Sequence, residues 1–274
     1  MREETFGRRP ANFSSVHQPA YFVGARDSLP ETPDAQVAPE LHATSIVLEG
    51  TPAVDWDAAQ AAIATHGEHS RPSTKLQQGL EILLAIFTIL LTLPLMVILA
   101  IMIKLDSPGP ALFRQLRIGK GGKPFWFTKF RTYYVDAKER FPELYAYKYT
   151  QEELESLKFK VPNDPRMTRL GRWLRKSTLD ELPNFLHVVN GSMSLVGPRP
   201  EIPEMLPYYS HEGLKKFQVR PGITGYAQTA GRGWLTFHDT VQLDVDYVQE
   251  RSALVDAKIL FRTLYKIVIR DGAF

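Results

Sequence analysis

The chain has 274 residues, a net charge of +3 and no cysteine. That length holds one sizeable domain and an appendage, and so small a net charge demands no nucleic-acid partner. The missing cysteines exclude a disulfide framework and a thiolate metal site, and His187, His211 and His238 are too dispersed in sequence for a zinc motif.

Residues 1–73 read as a polar, flexible N-terminal arm. Pro10, Pro19, Pro30, Pro33 and Pro39 punctuate a stretch with little apolar periodicity. Arg2, Arg8 and Arg9 lead into no apolar core, so no secretory signal is read and the remainder is expected to stay on the cytoplasmic side. Within the arm, Thr44–Leu48 suits a short strand and Trp56–Thr65 a short alanine-rich helix.

Residues 74–106 contain the strongest signal of the first half. Ile82 to Ile103 is 22 residues without a formal charge. As a helix it would extend about 33 Å, against a hydrocarbon core of about 30 Å. A buried soluble helix is the alternative, but a run so long and apolar on all sides favours the membrane. Pro94, near its middle, removes a backbone hydrogen bond and predicts a kink. Basic residues flank both ends (Arg71 and Lys75, then Lys104, Arg114 and Arg117), a pattern that suits both ends facing the cytoplasm.

Ser107-Pro108-Gly109-Pro110 then predicts a hard stop. Ala111–Arg117 and Pro124–Arg131 read as strands around a Gly119-Lys120-Gly121-Gly122 turn, a small β-hairpin. Ser107 to Val135 has no acidic residue but carries Arg114, Arg117, Lys120, Lys123, Lys129 and Arg131. Such a block suits phosphate or anionic lipid, or simply a solvated basic face. Phe141–Lys158 reads as a helix of mixed charged and aromatic residues.

In Met167–Lys176, Arg166, Arg169, Arg172 and Arg175 repeat at helical spacing on one side, and Leu170, Trp173 and Leu174 share another. This fits an amphipathic helix in a headgroup layer, or an ordinary surface helix packed through its apolar side. Thr178 with Glu181 fits a capping box, Pro183 a first helical turn, and Gly191 after Asn190 a C-terminal stop. Asp180 and Glu181 then have two readings. They complement a helix dipole, or Asp180 is a nucleophile kept ionised by helix amides and nearby arginines while Glu181, diverging by about 100°, binds Mg²⁺. Gly197-Pro198-Arg199-Pro200 restricts the backbone around one arginine, as a bidentate phosphate contact would use or as a plain turn would leave it.

At these residues the chain resembles the bacterial sugar transferases, the monotopic phosphoglycosyl transferases that act on polyprenyl phosphate. The likeness runs from Leu80 to the C-terminus through six blocks in order: the apolar segment with its proline, SPGPALFRQLRIGKGGKPFWFTKFRT, DPRMTRLGRWLRKSTLDELPN, NGSMSLVGPRPE, VRPGITGYAQTAGRG and LDVDYV. The resemblance implies an α+β, predominantly helical fold, anchored by a re-entrant Pro-kinked helix with amphipathic interfacial helices, and a catalytic domain over 107–274.

It further implies that Asp180 attacks the β-phosphate of a nucleotide sugar, and that the phosphosugar–aspartyl intermediate passes to undecaprenyl phosphate. Mg²⁺ is implied on Glu181, with Asp256 as a further acidic position. Lys129, Arg175 and Arg199 match phosphate-binding residues. Arg114 and Arg131 in the basic block, and Arg220 of the Arg-Pro-Gly loop, complete the candidate phosphate contacts. The implied partners are a nucleotide-sugar donor (a UDP-sugar), undecaprenyl phosphate and membrane lipid at the cytoplasmic face of a bacterial inner membrane, with no nucleic acid; a homo-oligomer is compatible. The product would start an exopolysaccharide, O-antigen or other glycoconjugate.

Two features depart from the pattern. Leu93 precedes Pro94 where the family often has serine, which favours a shallower bend, and the polar arm replaces the membrane helices of larger relatives. The rival function is a membrane-anchored scaffold with the same fold and no catalysis; a basic nucleic-acid binder leaves the apolar run unexplained.

Overall fold

The computed structural model describes residues 56–65, 73–158, 161–231 and 234–269. The strand expected at Thr44–Leu48 lies outside them. The first described helix, α1 (Trp56–Ala64), coincides with the alanine-rich stretch of the arm. It is packed rather than loose: Ile63 is buried with Ile118, Leu214 and Phe217.

Helix α2 (Lys75–Asp106) is 32 residues long and is long and apolar enough to cross a membrane. Thr74 starts it with a capping box: its hydroxyl accepts from Gln77 N at 3.1 Å, and Gln77 Oε1 accepts from Thr74 N at 3.0 Å. Pro94 sits inside the helix without ending it. The hydroxyls of Thr88 and Thr92 donate back to the carbonyls of Leu84 (2.8 Å) and Thr88 (2.7 Å) in the turns before the proline. Ala85, Leu99 and Ile103 are buried, whereas Leu83, Phe87, Leu90, Leu91, Val97, Ile98 and Ile101 are exposed. A continuous apolar surface of this extent is at home in lipid, not in water.

Strands β1 (Leu112–Ile118) and β2 (Pro124–Phe130) form the expected antiparallel hairpin, in register from Leu112 opposite Phe130 to Ile118 opposite Pro124. Its turn places Gly121 and Gly122 at φ 66° and 77°, the left-handed region glycine occupies readily. A Cβ on Gly122 would also stand 2.9 Å from Gln60 Cγ, so α1 rests directly on the turn.

Between the hairpin and the next blocks lie α3 (Ala137–Arg140), a 3-10 turn at Pro142–Tyr145 and α4 (Gln151–Ser156). The single helix expected over Phe141–Lys158 is therefore not formed. Tyr147 has φ 46°, and Tyr147 and Tyr149 pack on a cluster containing Ile202, Met205 and Phe237. Burial of aromatic area outweighs a weak helical preference here.

Helix α5 (Arg169–Ser177) is capped by Thr168, whose hydroxyl accepts from Gly171 N at 2.9 Å. Arg166 thus lies before the helix and does not join the arginine ladder. Leu174 is buried with Leu99, Ile103 and Phe130, fastening α5 to α2 and β2. Trp173, one position round the helix, remains 49% exposed instead of sharing that core face. A 3-10 segment, Leu179–Asn184, follows and runs into α6 (Phe185–Val189), which ends at Asn190 and Gly191 (φ 80°) as expected.

Strands β3 (Ser194–Val196) and β4 (Gly222–Thr224) pair in parallel, and α7 (Tyr226–Ala230), α8 (Phe237–Glu250) and α9 (Ala253–Ile269) complete the chain. The main core joins Ala85 of α2, Phe127 of β2, Val188 of α6, Leu195 and Val196 of β3, Tyr247 and Val248 of α8 and Ile259 of α9. It ties the long apolar helix to the hairpin and to α6, which follows the segment that carries the two carboxylates.

Candidate active site

The carboxylates sit in a tighter turn than a capping box would make. Thr178 ends α5 in the left-handed conformation (φ 59°) and makes no side-chain cap, which corrects the expected role of its hydroxyl. Pro183 has no N–H to donate, and the backbone closes as a 3-10 helix in which Glu181 N donates to Thr178 O at 3.2 Å. With three residues per turn, successive side chains diverge by about 120°. Asp180 is accordingly buried, 4% exposed, while Glu181 reaches the surface.

Around Asp180 the structure gathers three of the expected cations. Lys129 on β2, Arg175 on α5 and Arg199 after β3 all act on its carboxylate electrostatically. Burial nevertheless dominates and pushes the Asp180 carboxyl up to about 6, with Lys129 the largest opposing influence. The expectation that helix amides and arginines hold it low is therefore overturned: loss of water outweighs three cations. At neutral pH it is still mainly ionised. Burial likewise lowers Lys129 to about 8 against the pull of Asp180.

Each cation has its own support. Thr128 N, one residue before Lys129, donates to His187 Nε2 at 3.1 Å, so α6 pins the strand. His187 is thereby held as the neutral imidazole, and burial followed by Arg114 lowers its pKa. Arg175 donates to the Tyr133 hydroxyl, which donates to Asp164 Oδ2 at 2.9 Å. Asp164 is itself clamped by Arg166 at 2.8 and 2.7 Å. Arg199 donates from both terminal nitrogens to Glu181 Oε1 at 3.2 Å. Its Gly-Pro-Arg-Pro turn is set by close backbone contact: a Cβ on Gly197 would stand 2.5 Å from Arg220 O, and Gly222 N donates to Pro198 O at 2.9 Å. The Arg-Pro-Gly loop thus supports the turn that carries Arg199.

Other expected site residues are engaged elsewhere. Arg131 is buried at the C-terminal end of α2, donating to Ser107 O (2.7 Å), Ser107 Oγ (3.0 Å) and Pro108 O. It satisfies carbonyls at the end of α2 and in the turn that follows. Arg131→Met is expected to lower stability by about 2 kcal/mol and leave donor KM unchanged, measured by thermal melting beside steady-state kinetics. A raised KM at unchanged stability would return it to phosphate binding. Arg220 pairs with Glu81 of α2 at 3.1 Å, and Ser194 Oγ donates to the same carboxylate at 2.7 Å, so its cation anchors α2 to β3. Arg114 is exposed on β1 opposite Thr128, acting on His187 rather than Asp180. Asp256 accepts from the Tyr247 hydroxyl at 2.8 Å at the α8–α9 junction.

Among the described residues no three His, Asp or Glu side chains gather to hold a metal. Glu181 is held by Arg199, and Asp256 by Tyr247 at the α8–α9 junction. Glu181, partly exposed beside the buried Asp180, fits Mg²⁺, which commonly takes only one or two carboxylates and completes its shell with phosphate oxygens and water. Arg117, Tyr133, Glu201, Lys216 and Asp244 were not singled out by sequence. Arg117 lies in the basic block, Glu201 closes the NGSMSLVGPRPE block and Asp244 falls in LDVDYV; Arg117 stacks over Phe127 and donates to Pro200 O at 3.1 Å.

Residues 73–270 match the family profile described as bacterial sugar transferase. A UDP-glucose:undecaprenyl-phosphate glucose-1-phosphate transferase of Caulobacter vibrioides is 40% identical over 205 residues, 71% of this chain and 70% of that protein. One with the same description from Escherichia coli K12 is 37% identical over 209 residues, 73% of this chain and 41% of that protein. A galactosyl transferase of Streptococcus agalactiae is 40% identical over 166 residues, 60% of this chain and 36% of that protein. The chain thus spans well under half the length of the latter two relatives.

Proposed function

From the premise that this chain belongs to the bacterial sugar transferase family, we propose that it transfers a sugar 1-phosphate from a UDP-sugar to undecaprenyl phosphate. The observation that carries the reading is the buried Asp180 under the electrostatic influence of Lys129, Arg175 and Arg199, in a chain with a long apolar helix. The relatives named above act on UDP-glucose or transfer galactose, and two of them use undecaprenyl phosphate.

In the first step an Asp180 oxygen attacks the β-phosphorus of the donor, and the bond to the bridging oxygen breaks, so that UMP leaves with the electron pair. In the second, an oxygen of undecaprenyl phosphate attacks the same phosphorus, forming the lipid diphosphate sugar and releasing the Asp180 carboxylate. Lys129, Arg175 and Arg199 hold the phosphates in both steps and offset the charge that gathers on their oxygens. Burial excludes water from the acyl phosphate, which would otherwise hydrolyse. Glu181 is the residue that would hold Mg²⁺; when bound, the ion would neutralise charge on the diphosphate. α2 enters the membrane as a re-entrant helix, with the catalytic part on the cytoplasmic side of the bacterial inner membrane.

The test is UMP release by the purified protein with UDP-glucose or UDP-galactose and undecaprenyl phosphate, followed against pH. The rate should rise with pH through about 6 as Asp180 ionises and fall above about 8 as Lys129 loses its proton. No release with any UDP-sugar overturns the reaction; a flat profile between pH 5 and 7 overturns the role of Asp180.

A further inference from the structure

A line of charged and polar side chains runs from α8 to the turn that holds Arg199. At its far end Lys216 and Asp244 pair at 2.9 Å, and each side chain is only 1% exposed. Lys216 Nζ also donates to the Tyr209 hydroxyl at 3.1 Å. That hydroxyl has one proton, and it donates to Glu201 Oε2 at 2.9 Å. Glu201 Oε1 accepts from Ile202 N at 2.9 Å and stands 4.0 Å from Arg117 Nη1. The same Arg117 nitrogen donates to Pro200 O at 3.1 Å, on the residue that follows Arg199.

The signs along this line alternate: Asp244, Lys216, Glu201, Arg117. Taken together the four charges cancel, with Lys216 and Asp244 buried and Glu201 and Arg117 partly buried. A buried ion pair is a poor source of stability, because its desolvation offsets its attraction. It does fix direction. With the ammonium on one side, the Tyr209 hydroxyl must accept there and can donate only towards Glu201. Glu201 is then oriented between Tyr209 and Arg117, and Arg117 steadies the carbonyl next to Arg199. Glu201 O also accepts from Ile118 N at 2.9 Å, which fastens this stretch to the hairpin.

We infer that Lys216, Asp244, Tyr209 and Glu201 are positioning residues that set the orientation of Arg199 for a diphosphate, acting through Arg117 and the Pro200 carbonyl. The inference rests on the reading of the site as a nucleotide-sugar phosphate site. Tyr209→Phe is the clean probe. It keeps the ring against Phe217 and Phe237 and leaves the Lys216–Asp244 pair in place, removing only the hydroxyl.

The experiment is a double-mutant cycle on full-length protein, with binding of UDP measured by calorimetry for wild type, Tyr209→Phe, Arg199→Ala and the double variant. Tyr209→Phe should weaken UDP binding about 5-fold, and the double variant should bind no more weakly than Arg199→Ala alone. Wild-type affinity for Tyr209→Phe, or losses that multiply in the double variant, would overturn the inference while leaving the site reading intact. No UDP binding by wild type would sink the site reading and the inference with it. Melting of Tyr209→Phe checks its fold, and if it is low, Glu201→Gln enters the same cycle with the same expected outcome.

Discussion

Asp180→Asn is expected to reduce UMP release by at least about 10³-fold, with the protein as stable as the parent or more so. An amide nitrogen or oxygen at this position cannot displace UMP and form an acyl phosphate. Stability moves the other way for a physical reason. Burial raises the folded-state pKa of Asp180 from 3.8 to about 6, so the folded protein binds its proton more tightly than the unfolded chain does. Folding is therefore favoured below pH 3.8 and loses stability as pH rises through the window to about 6. At 1.36 kcal/mol per unit the penalty at neutral pH is about 3 kcal/mol. Asparagine has no such charge to desolvate and is nearly the same size. Melting temperature at pH 7 and nucleotide release, measured on one preparation, check both halves. Near-normal release would remove Asp180 as nucleophile, and a fall in melting temperature would contradict the burial argument.

Lys129→Met is expected to lower the rate at pH 7 by about 10²-fold, the scale of losing one cation aimed at developing phosphate charge. It should also carry a signature that mere loss of a contact lacks. Lys129 is the largest influence holding the Asp180 pKa down, so its removal should move the acidic limb of the rate profile to higher pH. The alkaline limb near 8, assigned to Lys129, should vanish. An unchanged acidic limb would show that the lysine and the carboxylate do not face each other in the working enzyme.

Much of the architecture was legible in the amino-acid order. The charge-free run predicted α2, the two short segments around the Gly119–Gly122 turn predicted the hairpin, and Asn190-Gly191 predicted where α6 ends, because each depends on neighbours within a few residues. The cation set was legible in part. Lys129, Arg175 and Arg199 act on the carboxylate electrostatically, whereas Arg131 and Arg220, equally basic in sequence, cap and anchor α2 instead. Nothing local separates these two groups. The Arg220–Glu81 pair joins residues 139 apart, and its formation depends on how β3 and β4 lie against α2. Phe141–Lys158 failed for a related reason: its tyrosines gain more by packing on Ile202 and Met205 than by continuing a helix.

By itself, the sequence determined the apolar anchor, the hairpin and the presence of a carboxylate pair among arginines, since periodicity, turn chemistry and residue type are local properties. Only the tertiary structure decided that Asp180 is buried enough to be hard to ionise, which arginines act on it, and that Lys216 and Asp244 pair in the interior next to Tyr209. Desolvation and Coulomb interactions depend on separation through space and on the water excluded, and neither quantity exists until the chain has folded.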